Sequence, residues 1–304
     1  RGREGGHRLK LLIGGILALD DLKTPHASGE AIVGGAGIYS SVAASFFTRP
    51  GLVGPAGIDF PPHTLAALRE RGVALDGVPR LAERSFHWSG EYRDDMAQAI
   101  THQTRVEILE AFNWGVPAEW RQPTGLLLCN NDPSIQLRLL EQVQAGWVAA
   151  DSMNLWIEIQ RAALEQVVAQ TDLLFLNDAE ALAFTGTASL DAAGAALLAA
   201  ARQHDARVVY LANPDNPSGH LHSDADVRAL RDALPENCSL LLDEAYHDFR
   251  PDAAHADHAP MARTFRLRTF SKAYGLAGLR LGFMIAEPDD VAMLTKVRIH
   301  FAVS

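Results

Sequence analysis

Short apolar runs recur at Leu11 to Ile16, Leu126 to Cys129, Val148 to Ala150, Leu173 to Leu176, Val208 to Leu211 and Ser239 to Leu242, separated by stretches of helical spacing. Runs this short, without polar alternation, predict strands buried on both faces of a parallel sheet. Between Leu176 and Val208 the alanine-rich stretch Ala192 to Ala201 predicts a helix. Another helix is marked at its start by Ser223 with Asp226 three residues on, a pair in which each side chain can serve the other's backbone N–H. Val227, Leu230 and Leu234 then fall on one face of it. Strand and helix alternate throughout, so the expected fold is α/β, with three layers around a mostly parallel, doubly wound sheet. Pro50 to Pro62, Trp114 to Pro123 and Pro251 to Pro260 read as loops.

Composition narrows the class. With 304 residues, 48% hydrophobic and 21% charged, the chain can build one large α/β domain or two smaller ones. A formal net charge of -10 argues against nucleic acid and against an anionic membrane surface, and says little else. The apolar run Leu11 to Leu19, bounded by Lys10 and Asp20, falls short of the roughly 20 residues that span a bilayer, and no small-residue cleavage pattern follows it. Cys129 and Cys238 lie far apart in apolar strand contexts, which disfavours a disulfide or a thiolate metal site and suits a reducing cytoplasm. His255 and His258 have no carboxylate at helical spacing, so solvated loop histidines are expected there and no metal. Trp88, Trp114 and Trp156 read as packing residues.

The chemistry concentrates near the carboxyl terminus. The stretch from Arg268 to Arg280 places Lys272 among Thr269, Ser271 and Arg280. A lysine amine can condense with an aldehyde, while hydroxyls and a guanidinium suit a doubly charged phosphate. Two clusters precede it: Asn213-Pro214-Asp215-Asn216-Pro217-Ser218-Gly219 after one strand, and Leu242-Asp243-Glu244-Ala245-Tyr246 at the end of the next. The three clusters in this order resemble the fold-type I pyridoxal-phosphate aminotransferases, the histidinol-phosphate branch above all, over about the last hundred residues. That resemblance implies pyridoxal phosphate as cofactor, held by Lys272 as a Schiff base. It implies Asp243 on the pyridine nitrogen, Asn216 and Tyr246 on the phenolic oxygen, and Thr269, Ser271 and Arg280 on the phosphate. It also implies an amine or phosphorylated amino-alcohol substrate and a homodimer whose interface completes the site. Read singly, Asp243 could cap a helix, Asn216 to Gly219 could be a plain β-turn, and Arg280 a surface ion-pair partner.

Residues from about Leu11 to Gly186 carry another set of motifs: Gly34-Gly35-Ala36-Gly37, the turn Val53 to Asp59, Asp151-Ser152-Met153-Asn154, and Asn177-Asp178-Ala179-Glu180. These resemble the ribokinase-like (PfkB) sugar kinases. The resemblance implies a sugar contact at Asp20 or Asp21 and at Gly34 and Gly35. It further implies a role for Asn177 and Glu180 in organising ATP and Mg. By their own chemistry Asn177 and Glu180 could equally start a helix. Tyr39 stands near the place of the family's sugar-reading asparagine, and the late Gly-Ala-Gly-Asp motif that supplies the base is missing.

The expected division is therefore 1–205, kinase-like, and 206–304, aminotransferase-like, meeting in Arg207 to Leu211, a strand that either fold could use. One doubly wound sheet continuing across the junction, or two half-folds with exposed edges, are the two outcomes. Three functions follow as expectations. The first is a pyridoxal-phosphate protein of aminotransferase descent whose activity is weak or absent because the family's front loop, stacking ring and substrate arginine are missing. The second is a carbohydrate or nucleoside kinase using ATP, and the third a non-catalytic fusion of two enzyme fragments.

Overall fold

In the computed structural model Leu12 and Ile13 are neighbours in β1 (Leu11–Gly14), both fully buried, and each enters a different core. Alternation sends successive strand side chains to opposite faces, so a strand apolar at both positions needs cover on both. The structure describes residues 9–92, 99–176, 178–188, 190–203, 207–215, 219–251, 258–276 and 281–295. Two units are distinguished along the chain, Arg1–Gly186 and Thr187–Ser304.

The first unit continues with β2 (Ala18–Lys23), β3 (Ser28–Gly34), α1 (Ala36–Ser45), β4 (Gly51–Val53), α2 (Pro62–Glu70) and β5 (Ala74–Gly77). Then come β6 (Phe86–Tyr92), β7 (Ala99–Arg105), α3 (Glu107–Ala111), β8 (Gly125–Leu128), α4 (Pro133–Gln142) and β9 (Trp147–Asp151). It ends with α5 (Asn154–Ile159), α6 (Arg161–Val168), β10 (Leu173–Phe175) and α7 (Asp178–Thr185). Its main sheet has the order β10-β9-β8-β1-β4-β5, every pair parallel. On one face Leu12, Leu126 and Leu128 pack with Ile108 of α3, Leu139 of α4 and Val167 of α6. On the other Ile13 and Leu52 pack with Ile38 of α1 and Leu65 and Leu68 of α2. This is the three-layer, doubly wound arrangement, with the chain order turning at β1 and β8. Each fully buried leucine contributes about 1.5–3 kcal/mol.

A second sheet, order β3-β2-β6-β7, is mixed and carries polar residues such as Asp20, Asp21 and His87. Its strands were not legible as apolar runs, because a sheet that leaves much of its surface in solvent needs no continuous apolar stretch. The expected loop from Pro50 to Pro62 also needs correction. It contains β4, whose Gly51, Leu52 and Val53 are all buried beside β1, a strand too short to register as a run.

The second unit holds α8 (Leu190–Gln203), β11 (Val208–Ala212), α9 (Asp224–Ala233), β12 (Ser239–Asp243), β13 (Thr264–Thr269), β14 (Gly282–Ile285) and α10 (Pro288–Thr295). Its sheet runs β11-β12-β13-β14, parallel except for the last pair. Helix α9 starts as the Ser223 to Asp226 spacing predicts. Ser223 Oγ accepts the Asp226 N–H at 3.2 Å, and Asp226 Oδ2 accepts the Ser223 N–H at 3.1 Å. Val227 and Leu234 bury against Leu240, Leu242 and Cys238, with Leu230 at the margin.

Strand β11 is thus an edge of its own sheet, and β10 an edge of the first unit's sheet. Cys129 and Cys238 are both buried free thiols. No helix among the described residues is long and apolar enough to cross a membrane.

Candidate functional site

Register brings the carboxyl-terminal residues together. Asp243, the last residue of β12, pairs with Leu267 of β13, and Thr269 lies two residues on along the same face. The chain leaves β13 through Phe270 into a turn closed by the Gly275 N–H on Lys272 O (3.0 Å) and the Leu276 N–H on Phe270 O (3.0 Å). Gly275 has φ +66°, a conformation that glycine adopts without the penalty of a Cβ. Phe270 anchors this turn against Tyr274 and Phe283, with ring centroids 5.3 and 5.4 Å away.

The result is a cleft of about 370 Å³ lined by Asp243, Ala245, Leu267, Arg268, Thr269, Ser271 and Lys272. It opens at the carboxyl ends of parallel strands, where α/β sheets place ligands, and its size is that of a small-molecule site. Lys272 is exposed, and its Nζ sits 5.0 Å from the centre of the Tyr246 ring, within cation–π range. Thr269 Oγ1 donates to Leu281 O (3.3 Å) and accepts the Ser271 N–H (3.1 Å). Of the predicted cofactor residues, the structure thus brings Asp243, Thr269, Ser271 and Lys272 to one cleft and sets Tyr246 beside its lysine. Asn216 and Arg280 lie outside the described residues.

Two sets of contacts around Asp243 were not anticipated. On the cleft side, Tyr210 of β11 donates its hydroxyl to Asp243 Oδ2 at 2.7 Å, while Asp243 Oδ1 accepts the Ala245 N–H at 2.9 Å. On the opposite face of the sheet, Glu244 is a buried anion shared by two arginines. Arg266 donates to it through Nε (3.1 Å) and Nη2 (2.7 Å), and Arg268 through Nε (3.0 Å). Burial pushes the Glu244 carboxyl up, but the His247 ring 3.6 Å away and the two guanidiniums outweigh it and hold the group down at about 2. His258, expected as a solvated loop histidine, is exposed outside any helix or strand, and it also accepts from Arg268 Nη1 at 3.0 Å and lies edge-on to His247. Its neighbour in that expectation, His255, lies outside the described residues. The signal for this cluster was present in β13, where Arg266 and Arg268 alternate on a strand too central to leave charges unpaired.

The first unit gathers a different group. Asp20 of β2 lies against Gly34 at the end of β3, where a Cβ would overlap Asp20 Oδ2. Gly35 precedes α1 with φ +91°, and a Cβ there would collide with the Ile16 carbonyl oxygen. Asp21 pairs with His87 Nε2 at 3.0 Å and accepts the Ala31 N–H at 2.8 Å. Asp20, Gly34 and Gly35 are therefore together. Glu180 is on α7 behind β10, an edge strand three places from β1, and Asn177 lies outside the described residues. Tyr39, in the asparagine's place, is exposed and donates to Val33 O at 3.3 Å.

Comparison with known proteins gives likenesses of two kinds. Residues 184–304 match the family Aminotransferase class I and II. An aromatic amino acid aminotransferase of Rhodococcus erythropolis is 40% identical over 254 residues, covering 82% of this chain and 64% of that protein. Histidinol-phosphate aminotransferase 1 of Nitrosococcus oceani is 46% identical over 103 residues, 32% of this chain and 28% of that one. The chain thus spans less than two thirds of either relative's length. In structure, an adenosine kinase from Sinorhizobium meliloti superposes with a TM-score of 0.51 at 16% identity, over 66% of this chain and 73% of that one. The second likeness is one of fold. The chain is two-part: its fold is like that of ribokinase-like kinases, and residues 184–304 match the aminotransferase class I and II family.

Proposed function

From an aminotransferase class I and II segment at residues 184–304, we propose that the Asp243–Lys272 cleft holds pyridoxal phosphate and serves amino-group transfer. The observation that carries this reading is the convergence of Asp243, Thr269, Ser271 and Lys272 on one cleft of about 370 Å³. Those donors fit the group. A carboxylate suits a protonated ring nitrogen, hydroxyls and a backbone N–H suit a phosphate, and an exposed amine suits an aldehyde. When bound, pyridoxal phosphate supplies the aldehyde and an electron-withdrawing ring. Lys272 Nζ would be the attachment point and the base placed to take a proton from the substrate's α-carbon. Asp243 would hold a proton at the ring nitrogen. Tyr246, with Asn216, would hold the phenolic oxygen, and Thr269, Ser271 and Arg280 would bind the phosphate. For Thr269 to donate there, its hydroxyl must turn from Leu281 O.

The substrate class proposed is a phosphorylated amino alcohol of the histidinol-phosphate kind, in keeping with the Nitrosococcus relative, in a homodimer in the cytoplasm. Slow turnover is expected unless a partner supplies the remaining parts of the site. Adding pyridoxal phosphate should give the absorbance of a lysine-bound cofactor, fixed by borohydride on Lys272 and lost in Lys272→Ala. An unchanged spectrum in the native chain would overturn the proposal.

One observation favours a second reading, ribokinase-like phosphoryl transfer from ATP with Mg: the placing of Asp20 against Gly34 and Gly35 at the start of α1. It expects magnesium-dependent ATP turnover that a sugar or nucleoside stimulates and Glu180→Ala removes. Absence of binding by either substrate would dismiss it.

A further inference from the structure

Asp243 is held at three points. Its main-chain oxygen accepts the Asn213 N–H at 2.8 Å, Oδ1 accepts the Ala245 N–H at 2.9 Å, and Oδ2 accepts the Tyr210 hydroxyl at 2.7 Å. The first two contacts come from backbone and are insensitive to side-chain identity. The third depends on one residue of a neighbouring strand. Tyr210 pairs in register with Leu241 and Ala212 with Asp243, so the phenol reaches forward along the face of the sheet to the carboxylate at its end. Burial, and then the adjacent Asp243 carboxylate, push the Tyr210 phenol well above its ordinary value.

We infer that Tyr210 is a positioning residue for the proposed cofactor chemistry, fixing the plane of the Asp243 carboxylate and drawing off part of its charge. The inference rests on the reading of the cleft given above. A carboxylate held at one oxygen by a backbone N–H can still turn about its own axis, whereas one held at both presents a fixed remaining lone pair. A donor on Oδ2 also spreads the negative charge, which weakens the hold of Asp243 on a proton at a ring nitrogen facing it. Tyr210 therefore sets two properties, the angle at which the ring is held and the strength with which its nitrogen stays protonated.

Tyr210→Phe removes the hydroxyl and keeps the ring's packing. The expected result is a folded chain whose Kd for pyridoxal phosphate rises by about tenfold, loss of the fixed carboxylate angle outweighing the stronger charge left on Asp243. The ring nitrogen, followed by NMR in labelled cofactor, should keep its proton to higher pH by about one unit. A packing role alone would lower the unfolding midpoint and leave that titration unmoved, and an unmoved titration with native Kd overturns the inference. If the native chain takes up no cofactor, the cleft reading fails by itself. Tyr210 is then judged in the cofactor-free chain by hydrogen exchange at the Ala245 amide. Faster exchange in Tyr210→Phe supports the inference, and native protection overturns it.

Discussion

In the first unit Asp20 and Asp151 are drawn into the fold and burial pushes each up to about 6, His87 only partly offsetting it for Asp20. In the second unit Glu244 is buried too, yet settles at about 2. Depth does not separate these cases, because it acts in the same direction on all three. What separates them is that Arg266 and Arg268 place three guanidinium N–H groups on Glu244, whereas Asp151 has a backbone N–H from Ser152 at 2.9 Å. Burial amplifies whatever lies beside a carboxylate, and where no cation lies there it favours the neutral acid. Asp20 and Asp151 are thus poised to titrate near 6, and Glu244 is fixed as an anion.

The largest effect that tests this contrast is loss of the fixed anion. Glu244→Gln leaves Arg266 and Arg268 buried, at 3% and 9% side-chain exposure, with an uncompensated charge, which costs about 3–5 kcal/mol. The five tryptophans all lie at or before Trp156, so their fluorescence follows the first unit, while hydrogen exchange in β12 and β13 follows the second. The expected outcome is a large loss of protection in β12 and β13 with an unchanged tryptophan transition. An unchanged exchange profile would show that the arginines find other partners and the contrast is false.

Acid is the next perturbation, and the two units should answer it with opposite signs. Glu244 has a folded value near 2 against an ordinary 4.5. Its contribution is complete above about 4.5 and is lost as pH falls through 2, about 3 kcal/mol in all. Asp20 and Asp151 have folded values near 6 against 3.8. There the folded state binds the proton more tightly, so the contribution of these two groups rises as pH falls from 6 to 3.8 and is level below. Between about 6 and 4.5 the tryptophan transition should move to higher urea while exchange in β12 and β13 stays level. Parallel movement of both would mean that the second unit's charges do not set its stability.

How much of this was legible beforehand differs between the units for a physical reason. Apolar runs fixed six of the strands, and Ser223 with Asp226 fixed the start of α9, because both signals are local in sequence. Asp243 and Lys272 were also legible, since each sits at a strand end in a motif. The partners that tune them were not. Tyr210 meets Asp243, and Glu244 meets Arg266 and Arg268, only through the register of β11, β12 and β13, which no spacing along one strand contains. The sheet of β2, β3, β6 and β7 escaped for another reason, since its pattern mixes polar and apolar residues. Asn216, Arg280 and Asn177 lie outside the described residues, so their proposed roles rest on the motifs.

A backbone change gives a middle-sized effect that should be blind to charge. Gly35→Ala puts a Cβ at φ +91° against the Ile16 carbonyl oxygen, and forcing such a conformation costs about 1–3 kcal/mol. The tryptophan transition should move to lower urea by the same amount at every pH. A pH-dependent shift would tie Gly35 to the Asp20 carboxyl beside Gly34 and draw backbone and charge into one device.

The last change is the most discriminating. Asp151→Asn keeps an oxygen for the Ser152 N–H but cannot ionise, so the variant avoids the cost that burial imposes on the charged form. At pH below 3.8 it should match the native chain, because there both side chains are neutral. As pH rises through 6 the native chain pays for ionisation and the variant does not, so the variant's tryptophan midpoint should come to lie above the native one and stay there. A slope should persist in the variant from Asp20, and Asp20→Asn added to it should level the profile. Identical profiles for native and variant would mean that Asp151 is solvated well enough to ionise freely. Neighbouring charges would then have to account for Glu244 without any amplification by burial.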